Sequence, residues 1–176
     1  EFEKQIVFFA NLFEIVDPSF LENFYLKRNF VSGTKPFLLF TFDDGLKNNL
    51  HAARILEKFG YRGLFFLVPD FLNTPTATQQ SYYMQHIRNQ VNFNIDKKAE
   101  DVSALDLDEI KTLIRNGHKI GSHSLSHTMN KDDDRLKNEK EIIQSKSELE
   151  LLFNVTITDF CAPFDSLKST NKNQMQ

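Results

Sequence analysis

Phe37-Leu38-Leu39-Phe40-Thr41-Phe42-Asp43-Asp44-Gly45 is the stretch on which the reading of this chain turns. Its first four residues form a continuous apolar run, the pattern of a buried strand. The run ends on two adjacent carboxylates. Such groups are costly to bury uncompensated, and a metal ion is the usual compensation. Further along, His123-Ser124-Leu125-Ser126-His127 sets two imidazoles four residues apart. That spacing lets both reach one ion from a helical turn or tight loop. One Asp and two His on a single ion, with a spare Asp beside it, outline a hydrolytic site.

The segments around this stretch alternate. After Gly45 a helix is expected over 47–59, with Leu50, Ala53, Leu56 and Phe59 roughly on one face and Gly60 as its stop. A second strand over 63–68 is apolar throughout and ended by Pro69. A continuous apolar run after a helix suggests a parallel sheet with both faces covered. Asp106-Leu107-Asp108-Glu109 reads as a capping box opening a helix through Ile110, Leu113 and Ile114, stopped at Gly117. A short strand over 118–121 then delivers the histidine pair. A charged helix over 133–153 follows, and a last strand over 157–162 ends at Pro163. The order is that of an α/β fold. In such sheets ligands sit at the carboxyl ends of the strands, where Asp43, Asp44, His123, His127 and Pro163-Phe164 all fall.

Three segments stand apart. Residues 1–35 read as an N-terminal helical segment, two short helices broken at Asp17-Pro18-Ser19 and closed by a turn over 32–36. Residues 70–102 are polar, with Tyr82, Tyr83, Met84, Ile87 and Val91 as anchors. They read as an insertion in the 36–165 domain, helical around 80–92, and either a surface excursion or a substrate-facing lid. Residues 166–176 form a polar tail without periodicity, frayed or cut short.

Composition bounds the functions. The 176 residues suffice for one domain with a sizeable core. Apolar residues make up 40%, with 18 phenylalanines, so the chain is globular rather than disordered. A net charge of -3 without a basic block argues against nucleic acid and membrane-surface partners. Cys161 is the single cysteine, which excludes an intrachain disulfide and a cysteine-rich zinc site. No apolar run approaches the roughly 20 residues of a membrane span. Ile6 to Ala10 is too short for a signal-peptide core, which favours a cytoplasmic over an exported location.

Taken singly, Asp-Asp-Gly is usually a solvated turn and His-x-x-x-His a surface or core pair. Both at strand ends of one α/β domain shift the reading toward a metal site. One carboxylate and two neutral imidazoles leave a divalent cation with positive charge, which polarises a carbonyl and acidifies water. The second carboxylate can then serve as general base. Neighbouring strand side chains point to opposite faces, so the two aspartates are inequivalent unless the strand has already broken. Which of them binds metal stays open at this level. His51 and His118 read as helix-surface or structural residues, and His86 falls in the insertion.

Thr41-Phe42-Asp43-Asp44-Gly45 with His123-Ser124-Leu125-Ser126-His127 resembles the polysaccharide deacetylases, the NodB-homology or family-four carbohydrate esterases. The likeness extends to Gly63-Leu64-Phe65-Phe66-Leu67, to the lead from Asn116 into His123, and to the helix from Glu141 to Leu152. It covers about 36–165. The resemblance implies a distorted (β/α) barrel and metal-dependent hydrolysis of an N-acyl group, usually acetyl, from an amino sugar. It implies Asp43 as general base and Asp44, His123 and His127 as metal ligands. Zinc is the expected ion, with cobalt, nickel and manganese tolerated by such a set. The implied partner is an N-acylated amino sugar in a cell-surface polysaccharide or its precursor.

Two departures from the family pattern matter. The third motif reads Phe160-Cys161-Ala162-Pro163-Phe164-Asp165, without the family's Arg and with Asp165 in place of the turn glycine. Phe164 is the expected source of an oxyanion-binding backbone N–H. The later motifs, which supply an acetate pocket and an acid His, have no counterpart here, so an incomplete barrel is expected, open along a strand edge through which copies could associate. Alternatives are a degenerate, non-catalytic homologue that binds carbohydrate or metal, and a hydrolase of another amide such as a formyl group.

Overall fold

The apolar run ahead of the aspartates divides between two partners in the computed structural model, which describes residues 1–26, 33–88, 102–128 and 135–165. Helix α1 (Phe2–Leu12) leads into strand β1 (Glu14–Ile15) and helix α2 (Ser19–Leu26), and the run itself begins as β2 (Phe37–Leu38). β1 and β2 pair in parallel, with Glu14 opposite Phe37 and Ile15 opposite Leu38. The run resumes as β3 (Thr41–Phe42), which turns to a different neighbour, β4 (Leu64–Leu67), again in parallel. β4 pairs in turn with β5 (Lys119–Ser122), also in parallel. Helix α3 (Asn48–Lys58) crosses from β3 to β4. Helices α4 (Pro69–Asn73), α5 (Thr76–Tyr82) and α6 (Leu107–Arg115) lie between β4 and β5. After β5 come α7 (Arg135–Glu139) and α8 (Ser145–Phe153), joined by a π-turn (Lys140–Gln144). Parallel strands joined through helices are the α/β pattern the sequence predicts.

The core lies where helices cover this sheet. Phe65, Leu67 and Ile120 are buried against Ala53 of α3, Ile110 and Leu113 of α6, and Leu149 and Phe153 of α8. Phe42 stacks on Phe65 with ring centroids 4.8 Å apart. The capping box is formed: the Asp106 carboxylate accepts from Glu109 N–H at 2.8 Å, and the Glu109 carboxylate accepts from Asp106 N–H at 2.9 Å. No helix among the described residues is long and apolar enough to cross a membrane.

Two expectations need correction, and a third gains detail. The N-terminal segment is not purely helical, because β1 lies within it and pairs with β2 beyond its end. A two-residue strand is too short to show alternation in the sequence. The segment over 157–162 is not a regular strand: only Phe160 bridges Ser122 in parallel. The Ile157 N–H goes instead to the Glu150 carboxylate at 3.0 Å, and the Ile157 carbonyl accepts from the Lys146 ammonium. Side chains of α8 thus take backbone groups that a ladder would use. Finally, the described part of the insertion, though mostly exposed or half-buried, is anchored to the body of the protein at a few points. Val68, Phe71, Ile87 and Ala104 are buried together. Buried Gln79 ties the insertion down, donating to the Thr74 carbonyl and accepting from Ala104 N–H, both at 3.0 Å. The rest of the insertion, Val91 included, and the tail over 166–176 lie outside the described residues.

Candidate metal centre

The strand bearing the aspartates has broken before it reaches the second of them. β3 ends at Phe42, and Asp44 and Gly45 both have φ of 71°. The left-handed region is accessible to Asp at modest cost and to Gly freely. A side chain at Gly45 would also meet Leu67, whose Cδ2 would lie 3.0 Å from its Cβ. The turn is pinned from outside: Leu105 N–H donates to the Gly45 carbonyl, and Lys47 N–H to the Ser103 carbonyl, each at 2.8 Å. The Asn49 amide donates to the Asp43 carbonyl at 3.0 Å.

The histidines follow the end of β5. His123 N–H donates to the Leu67 carbonyl at 2.9 Å, extending the ladder to β4 by one rung. His123 and His127 are both buried. Asp44 Oδ1 lies 3.5 Å from His123 Nε2 and 3.2 Å from His127 Nε2. Asp43 Oδ2 lies 4.0 Å from His123 Nε2 and is the more exposed of the two carboxylates. The alternation question left open by the sequence thus has a geometric answer: Asp44 is the aspartate that faces both imidazoles.

The far nitrogens fix the tautomers. His123 Nδ1 is 2.8 Å from the Cys161 carbonyl, and His127 Nδ1 is 3.1 Å from the His86 carbonyl. A carbonyl only accepts, so each Nδ1 carries a proton, and each Nε2 is the nitrogen left to offer a lone pair toward Asp44 when its ring is neutral. Burial pushes the His123 imidazole below its usual pKa, which favours this neutral form. Two imidazole lone pairs and a carboxylate oxygen, all within 4.8 Å of one another, suit a divalent cation. A carbonyl on the far nitrogen of each His is the outer support such ligands usually have. A second group, Asp43, His123 and Cys161, meets the same spacing but shares His123.

Phe164 reaches the site by its ring, edge-on to His127 at 4.7 Å. It sits in the 3-10 turn Pro163–Asp165 with φ 67°, so the left-handed residue of this loop is Phe164 rather than its neighbour Asp165. Asp44, Ser124, His127 and Phe164 are four of the five non-glycine residues with positive φ among those described. Strain of this kind clusters at functional sites. Ser124 Oγ is also the one buried side-chain oxygen or nitrogen among the described residues without a hydrogen-bond partner.

The remaining histidines divide as follows. His118 is structural: its Nδ1 accepts from Gly63 N–H at 3.0 Å and its Nε2 meets Glu57 at 3.1 Å. His51 is exposed on α3. His86 contributes its carbonyl, from the π-turn Tyr83–Ile87 that continues α5. The Tyr82 hydroxyl beside it donates to the Ser126 carbonyl at 3.2 Å. Sequence reading missed these roles of Cys161, His86 and Tyr82. A supporting carbonyl has no side-chain signature, and Tyr82 reads only as an apolar anchor.

The fold has close parallels among solved structures. The deacetylase PplD of Streptococcus pyogenes, solved with acetate, superposes with a TM-score of 0.68 at 16% identity over 93% of this chain and 59% of its own. IcaB from Ammonifex degensii gives 0.63 at 21% identity, covering 96% of this chain and 68% of its own. A polysaccharide deacetylase from Bacillus cereus gives 0.61 at 22% identity, covering 93% and 42%. The chain therefore spans from under half to about two thirds of these relatives. At such identities the likeness speaks for the fold. No curated protein sequence matches the chain. A sequence model of the polysaccharide deacetylases matches residues 31–176, which include both aspartates and both ligand-type histidines. On that match, the chain belongs to the polysaccharide deacetylase family.

Proposed function

We propose that the protein removes an N-acyl group, acetyl in the first instance, from an amino sugar of a cell-surface polysaccharide or its precursor, with a divalent cation held by Asp44, His123 and His127. The observation that carries this reading is the convergence of both Nε2 atoms on Asp44 Oδ1, with each Nδ1 anchored by a carbonyl. Zinc suits two imidazoles and one carboxylate, and cobalt, nickel or manganese would also be accepted. When bound, the cation supplies Lewis acidity at the acyl oxygen and toward water. Asp43, the more exposed carboxylate, takes the proton of the attacking water as the new C–O bond forms. The Phe164 backbone N–H serves the developing oxyanion. The C–N bond then breaks as the nitrogen takes that proton back from Asp43, releasing the free amine and the carboxylic acid, which ionises in solvent.

The test is release of acetate from an N-acetylglucosamine oligomer by the metal-depleted chain with and without added Zn2+. Zinc-dependent release that disappears in His127→Ala, together with lost metal stoichiometry in that variant, is the expected result. Undiminished metal in His127→Ala would remove it from the ligand set. Metal binding without acetate release would favour the non-catalytic homologue instead.

A further inference from the structure

Along the last helix, Glu141, Ser145, Leu149 and Phe153 recur every four residues, and all are buried. This is the core-facing row of an amphipathic helix, yet it opens on a carboxylate. Glu141 Oε2 accepts from Leu125 N–H at 3.1 Å and Ser126 N–H at 3.0 Å, and Oε1 accepts from the Ser126 hydroxyl at 2.7 Å. The π-turn Lys140–Gln144 falls at this residue. A π-turn shifts the helical hydrogen-bond ladder by one residue. Here the Glu141 carbonyl accepts from outside the helix, from Leu125 N–H at 3.0 Å. Both the carbonyl and the carboxylate of one buried residue therefore grip the segment between His123 and His127.

That segment needs a grip. Ser124 and His127 have φ of 63° and 58°. Left-handed non-glycine residues persist only where the surroundings over-determine them. The Tyr82 hydroxyl holds the Ser126 carbonyl from the insertion, while Glu141 holds the neighbouring N–H groups from the last helix. We propose that Glu141 is a positioning residue, which locks the loop in the conformation that aims both Nε2 atoms at Asp44. The inference rests on the metal-site reading above. The requirement is for an acceptor rather than a charge. A glutamine can keep an oxygen on the two N–H groups and turn its amide to the Ser126 hydroxyl, which already faces Thr128 Oγ1 at 2.5 Å. A leucine leaves the Ser126 N–H without this acceptor.

The experiment is titration of the metal-free chain with Co2+, read by visible absorption well below the unfolding temperature. E141L should bind Co2+ about 10–100-fold more weakly than the wild type, with an altered spectrum, as expected when the support of a ligand is removed. E141Q should restore most of the affinity and the wild-type spectrum. A merely structural role would lower the melting temperature and leave the Co2+ spectrum unchanged. Wild-type affinity and spectrum in folded E141L overturn the proposal, and so does an E141Q variant as weak as E141L. If E141L does not fold, E141D carries the test: the same charge on a side chain one methylene shorter should weaken Co2+ binding, and unaltered binding overturns the proposal. Binding that is lost in His127→Ala but kept in E141L rejects the role of Glu141 alone. Equal binding by wild type and His127→Ala rejects the metal site and this inference with it.

Discussion

Asp43 and Asp44 are adjacent in sequence, yet their side chains are 47% and 20% exposed and only Asp44 faces both imidazoles. The break in the strand between Phe42 and Asp44 separates their roles. Asp43→Asn should therefore keep Co2+ binding close to wild type while acetate release falls about a hundredfold or more, the scale of a lost general base. Normal turnover with metal bound would reject Asp43 as the base. His118 gives a second prediction at this scale. Burial pushes its pKa below the usual value, and protonation would turn its Nδ1 from an acceptor into a donor facing Gly63 N–H. Between the folded pKa and the ordinary value near 6.5, the unfolded chain binds more protons, so stability rises with pH. That stability is fully present above about pH 6.5 and is lost as pH falls toward the folded pKa. Buried His123 is shifted in the same direction, so the wild-type curve alone does not isolate His118. The isolating measurement is the gap in melting temperature between wild type and His118→Gln in the metal-free protein. It should narrow as pH falls from about 7 to about 5, and a constant gap would count against the assignment.

Elements with a clear period were legible in the sequence, and those held by side chains were not. The helix expected over 47–59 forms as α3, and the run over 63–68 forms as β4, because apolar spacing decides both. The Asp106 box was readable because its two partners sit at a fixed offset. The segment over 157–162 was misread because its apolar residues look like a strand while Glu150 and Lys146 take the Ile157 backbone groups. The four ligand-type and base-type side chains were readable as motifs, whereas the Cys161 and His86 carbonyls were not. Glu141 was within reach, since a carboxylate in an apolar i+4 row is itself a signal. Close approach between elements also escapes sequence reading. At Gly121 in β5, an added Cβ would stand 2.7 Å from two carbons of the Phe66 ring and 3.0 Å from the Asp159 carbonyl. Gly121→Ala should cost about 1–3 kcal/mol, as overpacking does. Denaturant unfolding checks this, and an unchanged midpoint would mean that the Phe66 ring and the chain at Asp159 yield easily.

At the scale of the whole molecule, the match to the deacetylase family begins at residue 31, yet the first 26 residues belong to the same body. β1 pairs with β2, the first half of the run that ends in the aspartates. Ile6 of α1 is fully buried with Ile55 and Leu56 of α3. Phe2 meets Phe40 and Phe42 edge-on at 5.9 and 6.1 Å. Lys119 at the start of β5 joins Glu22 of α2 at 2.5 Å and Asp159 at 2.7 Å. The exposed pair of Lys58 and Glu3 at 2.8 Å adds little beside this apolar contact. Helix α1 thus covers the back of the strand whose far end presents Asp43 and Asp44, and its docking bears on the site through Phe42. Ile6→Ala should cost about 2–5 kcal/mol, the range for truncating a buried aliphatic side chain. Removing residues 1–26 should do more, because it unpairs β2 and bares Phe40, Ile55 and Leu56. The shortened chain should unfold at a lower denaturant concentration and self-associate in sedimentation. If it instead kept the wild-type midpoint and stayed monomeric, the segment would be an appendage and the core behind the aspartates would be complete without it.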